Sequence, residues 1–231
     1  MRLVELSHVI ENGTVTYPGL PAPRIGEHLS FADSRSHYAP GTEFAIGRIE
    51  MIANTGTYLD TPAHRYRDGH DLAALPLERC ADLPAVVVDA AGAVTAEDLA
   101  GRQLTGAAVL VRTGWDVHWG TGRYGEADHP HLTADAAEAL VAAGATLVGI
   151  DSVNIDATST GERPVHSALL RAGIPVVEHL TGLDQLPVTG ARFTAVPPLI
   201  SGMATFPVRA FAVVPVREPR GPGSIEGDGG V

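Results

Sequence analysis

Apolar residues follow two patterns along the chain. Up to about residue 80 they are scattered among prolines, glycines and charges; beyond it they gather into short runs between amphipathic segments. Leu3–Ile10 has the content of a strand. Thr14–Pro40 is interrupted by Pro18, Pro21, Pro23 and Pro40, which fix φ and remove backbone donors, so it reads as irregular. Within Glu43–Ile52 the spacing of Phe44, Ile46, Ile49 and Met51 predicts a half-buried strand. From Leu83 the reading becomes strand, helix, strand. Ala85–Asp89 and Ala107–Arg112 are apolar strands, and a short helix opens between them with Thr95 as its cap and acids in its first turn. Thr133–Ala143 is an amphipathic helix stopped by Gly144, followed by a strand at Thr146–Ile150. Pro164–Ala172 is a second such helix, stopped by Gly173, and Ile174–Glu178 is the strand after it. Phe193–Leu199 and Val208–Val216 complete the set, which predicts a mixed α/β domain around one sheet.

At 231 residues, 45% hydrophobic and 19% charged, the chain can bury a full core as a single domain, here 1–217. Residues 218–231 are rich in Gly and Pro without apolar periodicity and are expected to form a flexible tail. The net charge of −11, with no lysine beside the 16 arginines, makes the chain a poor candidate for nucleic-acid binding, which relies on clustered positive charge. Without lysine there is neither a Schiff-base lysine nor a P-loop. One cysteine, Cys80, excludes a disulfide framework and reads as a buried structural thiol. No apolar run approaches the roughly 20 residues of a membrane helix, and the first residues lack a signal-peptide core, so no membrane association and a cytoplasmic location are expected.

Two stretches concentrate candidate chemistry. In Asn54-Thr-Gly-Thr-Tyr-Leu-Asp-Thr-Pro-Ala-His64, extended backbone would point Tyr58 and Asp60 the same way. A buried Asp60 needs a metal, an arginine or backbone N–H groups as partner; an Asx turn ahead of Pro62 is the plainer alternative. The second stretch holds Asp151, Asn154, Asp156, His166, Glu178 and His179. Asp151 and Glu178 end strands, where open α/β sheets place ligands, and His166 opens the intervening helix. Arg65 could bind a substrate carboxylate through its guanidinium fork. Trp115, with Trp119 and Tyr124, reads as a pocket wall, lid or dimer contact, and His129 and His131 as solvated loop imidazoles.

In this order the motifs resemble those of the cyclase family, which contains bacterial kynurenine formamidase and isatin hydrolase. NTGTYLDTPAH is similar to its H-T-G-T-H-x-D-x-P-x-H motif. LSHVIENGTVTYPGLP, GIDSVNID, HSALLRAGIPVVEHL and PLISGMATFPVRAFAV are similar to four further segments, spanning roughly residues 3–216. The resemblance implies a single α/β domain of the swivelling β/β/α type around a mixed sheet, assembled as a homo-oligomer, most simply a dimer. It implies metal ligands at 54, 58, 60, 166 and 178, with His64 as the catalytic histidine. Two of these positions depart from the family, because Asn54 and Tyr58 stand where histidines are expected. An amide oxygen and a neutral phenol are poor ligands. Asp60, His166 and Glu178 are left to hold at most one divalent cation, Mn, Zn or Mg, and a metal-free site stays open.

The leading expectation is thus a small-molecule hydrolase of the formamidase type, acting on an amide or lactam C–N bond. His64 is then general base, Tyr58 an oxyanion or substrate donor, Asp60 a ligand, and Asn54, Arg65 and Trp115 substrate contacts. The alternatives are a metal-independent cyclase, dehydratase or isomerase in which Tyr58 and His64 move protons and Asp60 orients His64, and a non-catalytic small-molecule-binding relative.

Overall fold

The computed structural model describes residues 1–215, so the expected tail at 218–231 lies outside the described residues. The strands in chain order are β1 (Arg2–Glu5), β2 (Arg24–Leu29), β3 (Ile46–Glu50), β4 (Tyr58–Asp60), β5 (Leu83–Asp89), β6 (Ala108–Arg112), β7 (Leu147–Ile150), β8 (Val176–Glu178), β9 (Thr189–Thr194), β10 (Thr205–Pro207) and β11 (Phe211–Val214). Nine form one mixed sheet in the order β1-β11-β9-β5-β6-β7-β8-β4-β10, and β2 pairs with β3 alone. β5 to β8 run parallel, and the remaining pairings are antiparallel. The α-helices are α1 (Phe31–Ser34), α2 (Ala96–Leu99), α3 (Ala134–Ala142) and α4 (Pro164–Arg171). This is the expected mixed α/β architecture.

The apolar runs are continuous because the central strands are buried on both faces. Val86, Val88, Val109, Val111, Val148 and Ile150 pack under α2, α3 and α4. The alternate residues Ala85, Val87, Ala108, Leu110 and Leu147 join Val4, Leu59, Val177, Phe193 and Ala212 in the other core. Strands from both ends of the sheet share that second core, so the sheet curls around it. Gly149 lets it close: a Cβ there would lie 2.7 Å from Leu180 Cδ1 and 3.0 Å from Leu110 Cδ2.

The N-terminal half departs from expectation. Thr14–Pro40 is not wholly irregular, because it contains β2 and α1. β3 is not half-buried: all five of its residues are exposed, as are Arg24 to His28 of β2. Its apolar alternation meets no core among the described residues. No helix among the described residues is long and apolar enough to cross a membrane.

Candidate functional site

Strand pairing assembles the site. β4 lies between β8 and β10, with Tyr58 opposite Glu178 and Asp60 opposite Thr205. Tyr58 and Asp60 share a face of the strand, as period two requires. Gly56 enters β4 at φ +66, and a Cβ there would meet Ile10 Cγ1 at 2.8 Å, so only glycine fits comfortably.

His166 arrives from the first turn of α4. Asp156 caps this turn, accepting the Val165 N–H at 2.7 Å and the His166 N–H at 3.0 Å. The same carboxylate holds His166 Nδ1 at 2.6 Å. That contact aims Nε2 at Asp60 Oδ2, 3.7 Å away, and at Glu178 Oε1, 3.6 Å away. Asp60 Oδ2 and His166 Nε2 are buried and without a hydrogen-bond partner. Glu178 accepts the Ile155 N–H at Oε1 (2.7 Å) and the Tyr58 hydroxyl at Oε2 (2.7 Å). The loop before α4 is itself anchored by Asp151, which accepts from the Thr113 N–H, the Thr113 hydroxyl and the Gly114 N–H.

His64 ends the turn Pro62–His64, with 36% of its side chain exposed. Its Nδ1 is 2.9 Å from Thr205 Oγ1 and 3.4 Å from Asp60 Oδ1. The Thr205 hydroxyl donates to Asp60 Oδ1. With its only hydrogen given to Asp60, Thr205 must accept from His64 Nδ1–H, which leaves the Nε2 lone pair of a neutral His64 free.

These groups perturb one another. Burial would raise Asp60, but His166, His64 and the Thr205 hydroxyl outweigh it and hold the carboxyl below its ordinary value. Burial would lower His166, yet Glu178, Asp156 and Asp60 push it up to about 10. Burial raises Glu178, with His166 opposing and Asp60 adding to the rise. Tyr58 lies well above the usual phenol value through burial and the charges of Glu178 and Asp60. The floor of the site is thus the His166 imidazole with the carboxyl groups of Asp60, Asp156 and Glu178 around it.

Above this floor opens a cavity of about 370 Å³, bordered by Asn54, Tyr58, His64, Arg65, Asn154, Arg163, His166 and Glu178, with Tyr17 and Leu20 on its apolar side. The structure therefore brings together Asn54, Tyr58, Asp60, His64, Arg65, His166 and Glu178. Arg65 also donates to Ser167 Oγ at 3.1 Å. Trp115 is not a wall of this cavity. Its indole N–H donates to the Tyr124 carbonyl at 2.9 Å, and it packs with Tyr124 and Val153 beneath the Arg123 guanidinium. Tyr58 is not a free donor either, since its buried hydroxyl is spent on Glu178. His129 is not solvated: it is buried between Ser152 and Thr158. Cys80 is buried, and its thiol is pushed up to about 11 by burial and Glu78.

The sequence singles out none of Thr205, Arg163, Tyr17 and Leu20, although Tyr17, Leu20 and Thr205 lie inside segments that resemble the family. Thr205 is polar, alone and 145 residues from its partner, and only the β4–β10 register reveals it. Asp60, His64 and His166 offer ligand atoms within 4.8 Å of one another and could hold a metal ion. Asp60 Oδ2 and His166 Nε2 also fit such an ion on chemical grounds, since both are buried and unpartnered. Their 3.7 Å separation is one that two bonds of about 2.1 Å can span. Asp156 behind His166 is the outer carboxylate that metal-ligating histidines usually have.

A family described as Putative cyclase matches residues 4–157. The chain is 30% identical over 216 residues to kynurenine formamidase of Salinibacter ruber, covering 91% of this chain and 96% of that one. It is 26% identical over 214 residues to kynurenine formamidase of Bacillus cereus, covering 90% and 95%. Among solved structures, an isatin hydrolase bound to the product analogue thioisatinate superposes with a TM-score of 0.80 at 25% identity, covering 93% of this chain and 92% of that one. Isatin hydrolase A from Labrenzia aggregata, bound to benzyl benzoate, gives a TM-score of 0.80 at 28% identity, covering 92% and 93%.

Proposed function

Because this chain belongs to the cyclase family, we propose that it is a hydrolase of a small amide or lactam C–N bond, of the formamidase type, using at most one divalent cation. One observation carries the reading. Two buried, unpartnered ligand atoms, Asp60 Oδ2 and His166 Nε2, lie beside an oriented histidine on the wall of a small cavity. Its relatives, kynurenine formamidases and isatin hydrolases, are consistent with the same chemistry.

Asp60 and His166 would hold the ion with Glu178 as third ligand, and when bound it would supply Lewis acidity at the substrate carbonyl and to water. Oxygen-rich donors with one imidazole suit Mn²⁺ or Mg²⁺ better than Zn²⁺. His64 does the proton work. Its free Nε2 takes a proton from water as the oxygen adds to the carbonyl carbon, then returns it to the departing nitrogen. Asp60 and Thr205 keep Nδ1 protonated and the ring aimed. Tyr17 and Leu20 receive an apolar substrate body, and Arg65 and Arg163 bring positive charge to the cavity. The defining assay is formate release from an N-formylaniline by chain reloaded with Mn²⁺ after chelation. No turnover with any of Mn²⁺, Mg²⁺ or Zn²⁺ on formamides or lactams would sink the reading.

The ion count follows from Asn54 and Tyr58. Chain loaded with excess metal and desalted should retain no more than one ion by elemental analysis. Asn54→His combined with Tyr58→His should raise the stoichiometry or the zinc affinity. Two tightly held ions in the unaltered chain would restore a binuclear mechanism.

The same proposal includes a homodimer acting in the cytoplasm. Its support is the β2–β3 hairpin, which exposes Ile25, Ile46 and Ile49, with Phe31, Tyr38 and Phe44 exposed nearby. A second copy would cover these side chains. Light scattering at micromolar concentration should give twice the chain mass, and a monomer would count against the assembly.

A further inference from the structure

Behind Glu178 stands a buried column of polar side chains that the proposed hydrolysis does not use. Tyr124 Oη is 2.8 Å from His179 Nδ1, and His179 Nε2 is 3.2 Å from Tyr58 Oη. Tyr58 Oη is 2.7 Å from Glu178 Oε2. All four side chains are buried.

One direction of donation satisfies the whole column. A Glu178 that holds a cation is ionised and only accepts, so Tyr58 donates to it. The Tyr58 oxygen then accepts from His179 Nε2–H. A neutral imidazole protonated at Nε2 carries its lone pair on Nδ1, which accepts from the Tyr124 hydroxyl. His179 is fully buried, with Tyr124 on its Nδ1 side and Tyr58 on its Nε2 side.

The backbone is bent to make this contact. Successive residues of a strand point to opposite faces, yet Glu178 and His179 both reach the Tyr58 hydroxyl. His179 has φ +58, a left-handed conformation that only one other non-glycine residue among those described adopts, and its carbonyl is pinned by the Thr57 hydroxyl at 2.5 Å. Such outliers persist where the surroundings enforce them. Trp119 packs its ring edgewise to His179, with centroids 5.8 Å apart, and stacks on His8 at 4.0 Å.

We propose that Tyr58, His179 and Tyr124 form a positioning column for Glu178, which fixes the carboxylate by Oε2 and leaves a lone pair of Oε1 for the cation held with Asp60 and His166. The inference rests on the one-ion reading above. Tyr58 and His179 are then positioning residues, and the phenol at a family ligand position has become an outer support.

The test is Mn²⁺ titration of the metal-free full chain, by calorimetry and by the loss of free-Mn²⁺ electron spin resonance signal. Tyr58→Phe and His179→Phe should each weaken Mn²⁺ binding by roughly 10–100-fold, the usual effect of removing such outer support. His179→Gln, which keeps an N–H near the place of Nε2, should recover most of it, and Tyr124→Phe should show a smaller loss. Nitrogen-15 spectra of the unaltered chain should show His179 as the Nε2–H tautomer. Mn²⁺ binding of unaltered strength in both phenylalanine variants, or an Nδ1–H tautomer, would overturn the column while leaving the one-ion reading in place. If those variants fail to fold, the tautomer and the Tyr124→Phe titration still decide. No Mn²⁺ binding by the unaltered chain would remove the one-ion reading, and the column's role with it.

Discussion

His64→Ala should lower kcat for amide hydrolysis by about 10²–10⁴-fold, the usual contribution of a positioned acid–base group, with little change in thermal stability. His64 and His166 both border the cavity, and His64 is the partly exposed one of the two. His166 has Nδ1 tied to Asp156 and Nε2 facing two carboxylates, and His179 is sealed between two tyrosines. His64 alone has Nδ1 engaged by a neutral hydroxyl while its ring reaches the cavity wall. Being partly exposed, it contributes little to the core, so its truncation is a test of chemistry rather than of folding. Thr205→Val, which removes the hydroxyl between Asp60 and His64, should reduce kcat by less and change KM little. Single-turnover and steady-state rates of the two variants, beside their melting curves, make the comparison. Near-native kcat in His64→Ala would take His64 out of the reaction.

Asp60→Asn should be more severe, abolishing ion retention and reducing turnover by about 10³-fold or more. Asp60 is the only carboxylate of the site that faces both histidines, contacting His64 through Oδ1 and His166 through Oδ2. An amide keeps the shape and loses the charge. It weakens the ion's hold and leaves Thr205 and His64 with a poorer acceptor. Electrostatic stabilisation by a metal is worth several kcal/mol, and each 1.36 kcal/mol is tenfold in rate. The fold should survive, because His166 retains Asp156 and Glu178 as partners. Elemental analysis after desalting, together with kcat at saturating Mn²⁺, decides the matter. One ion retained with native kcat would contradict the role given to Asp60.

The legible elements are those whose burial imposes a pattern. β5, β6 and β7 are apolar runs because they are covered on both faces, and α3 and α4 carry their stop signals at Gly144 and Gly173. β4 and β10 were not legible, since three residues give no period and both strands bury polar side chains. The alternation in β3 misled because apolar spacing marks a face without showing that the chain's own core covers it. In the site, Asp60, His64, His166 and Glu178 were legible as residue types in order. Trp115 was misplaced because an indole in a polar loop looks the same in sequence whether it lines a cavity or plugs a loop. Thr205 was invisible because its meaning comes from cross-strand register across 145 residues.

That register also sets an order of events during synthesis. Among the described residues β1 pairs only with β11, and β4 gains its second neighbour only from β10. While the chain is still being made, two strands written early must wait with open edges. Asp60 leaves the ribosome about 145 residues before the hydroxyl that will hold it. The Asp60 carboxyl is thus among the last to find its partner, and slow, long-range closure of this kind is where unfinished chains stick to one another. A chain cut between Ala195 and Met203 would keep the parallel centre of the sheet and His64 itself, yet lack both β10 and β11. Its failure would then be one of assembly and not of reactive groups.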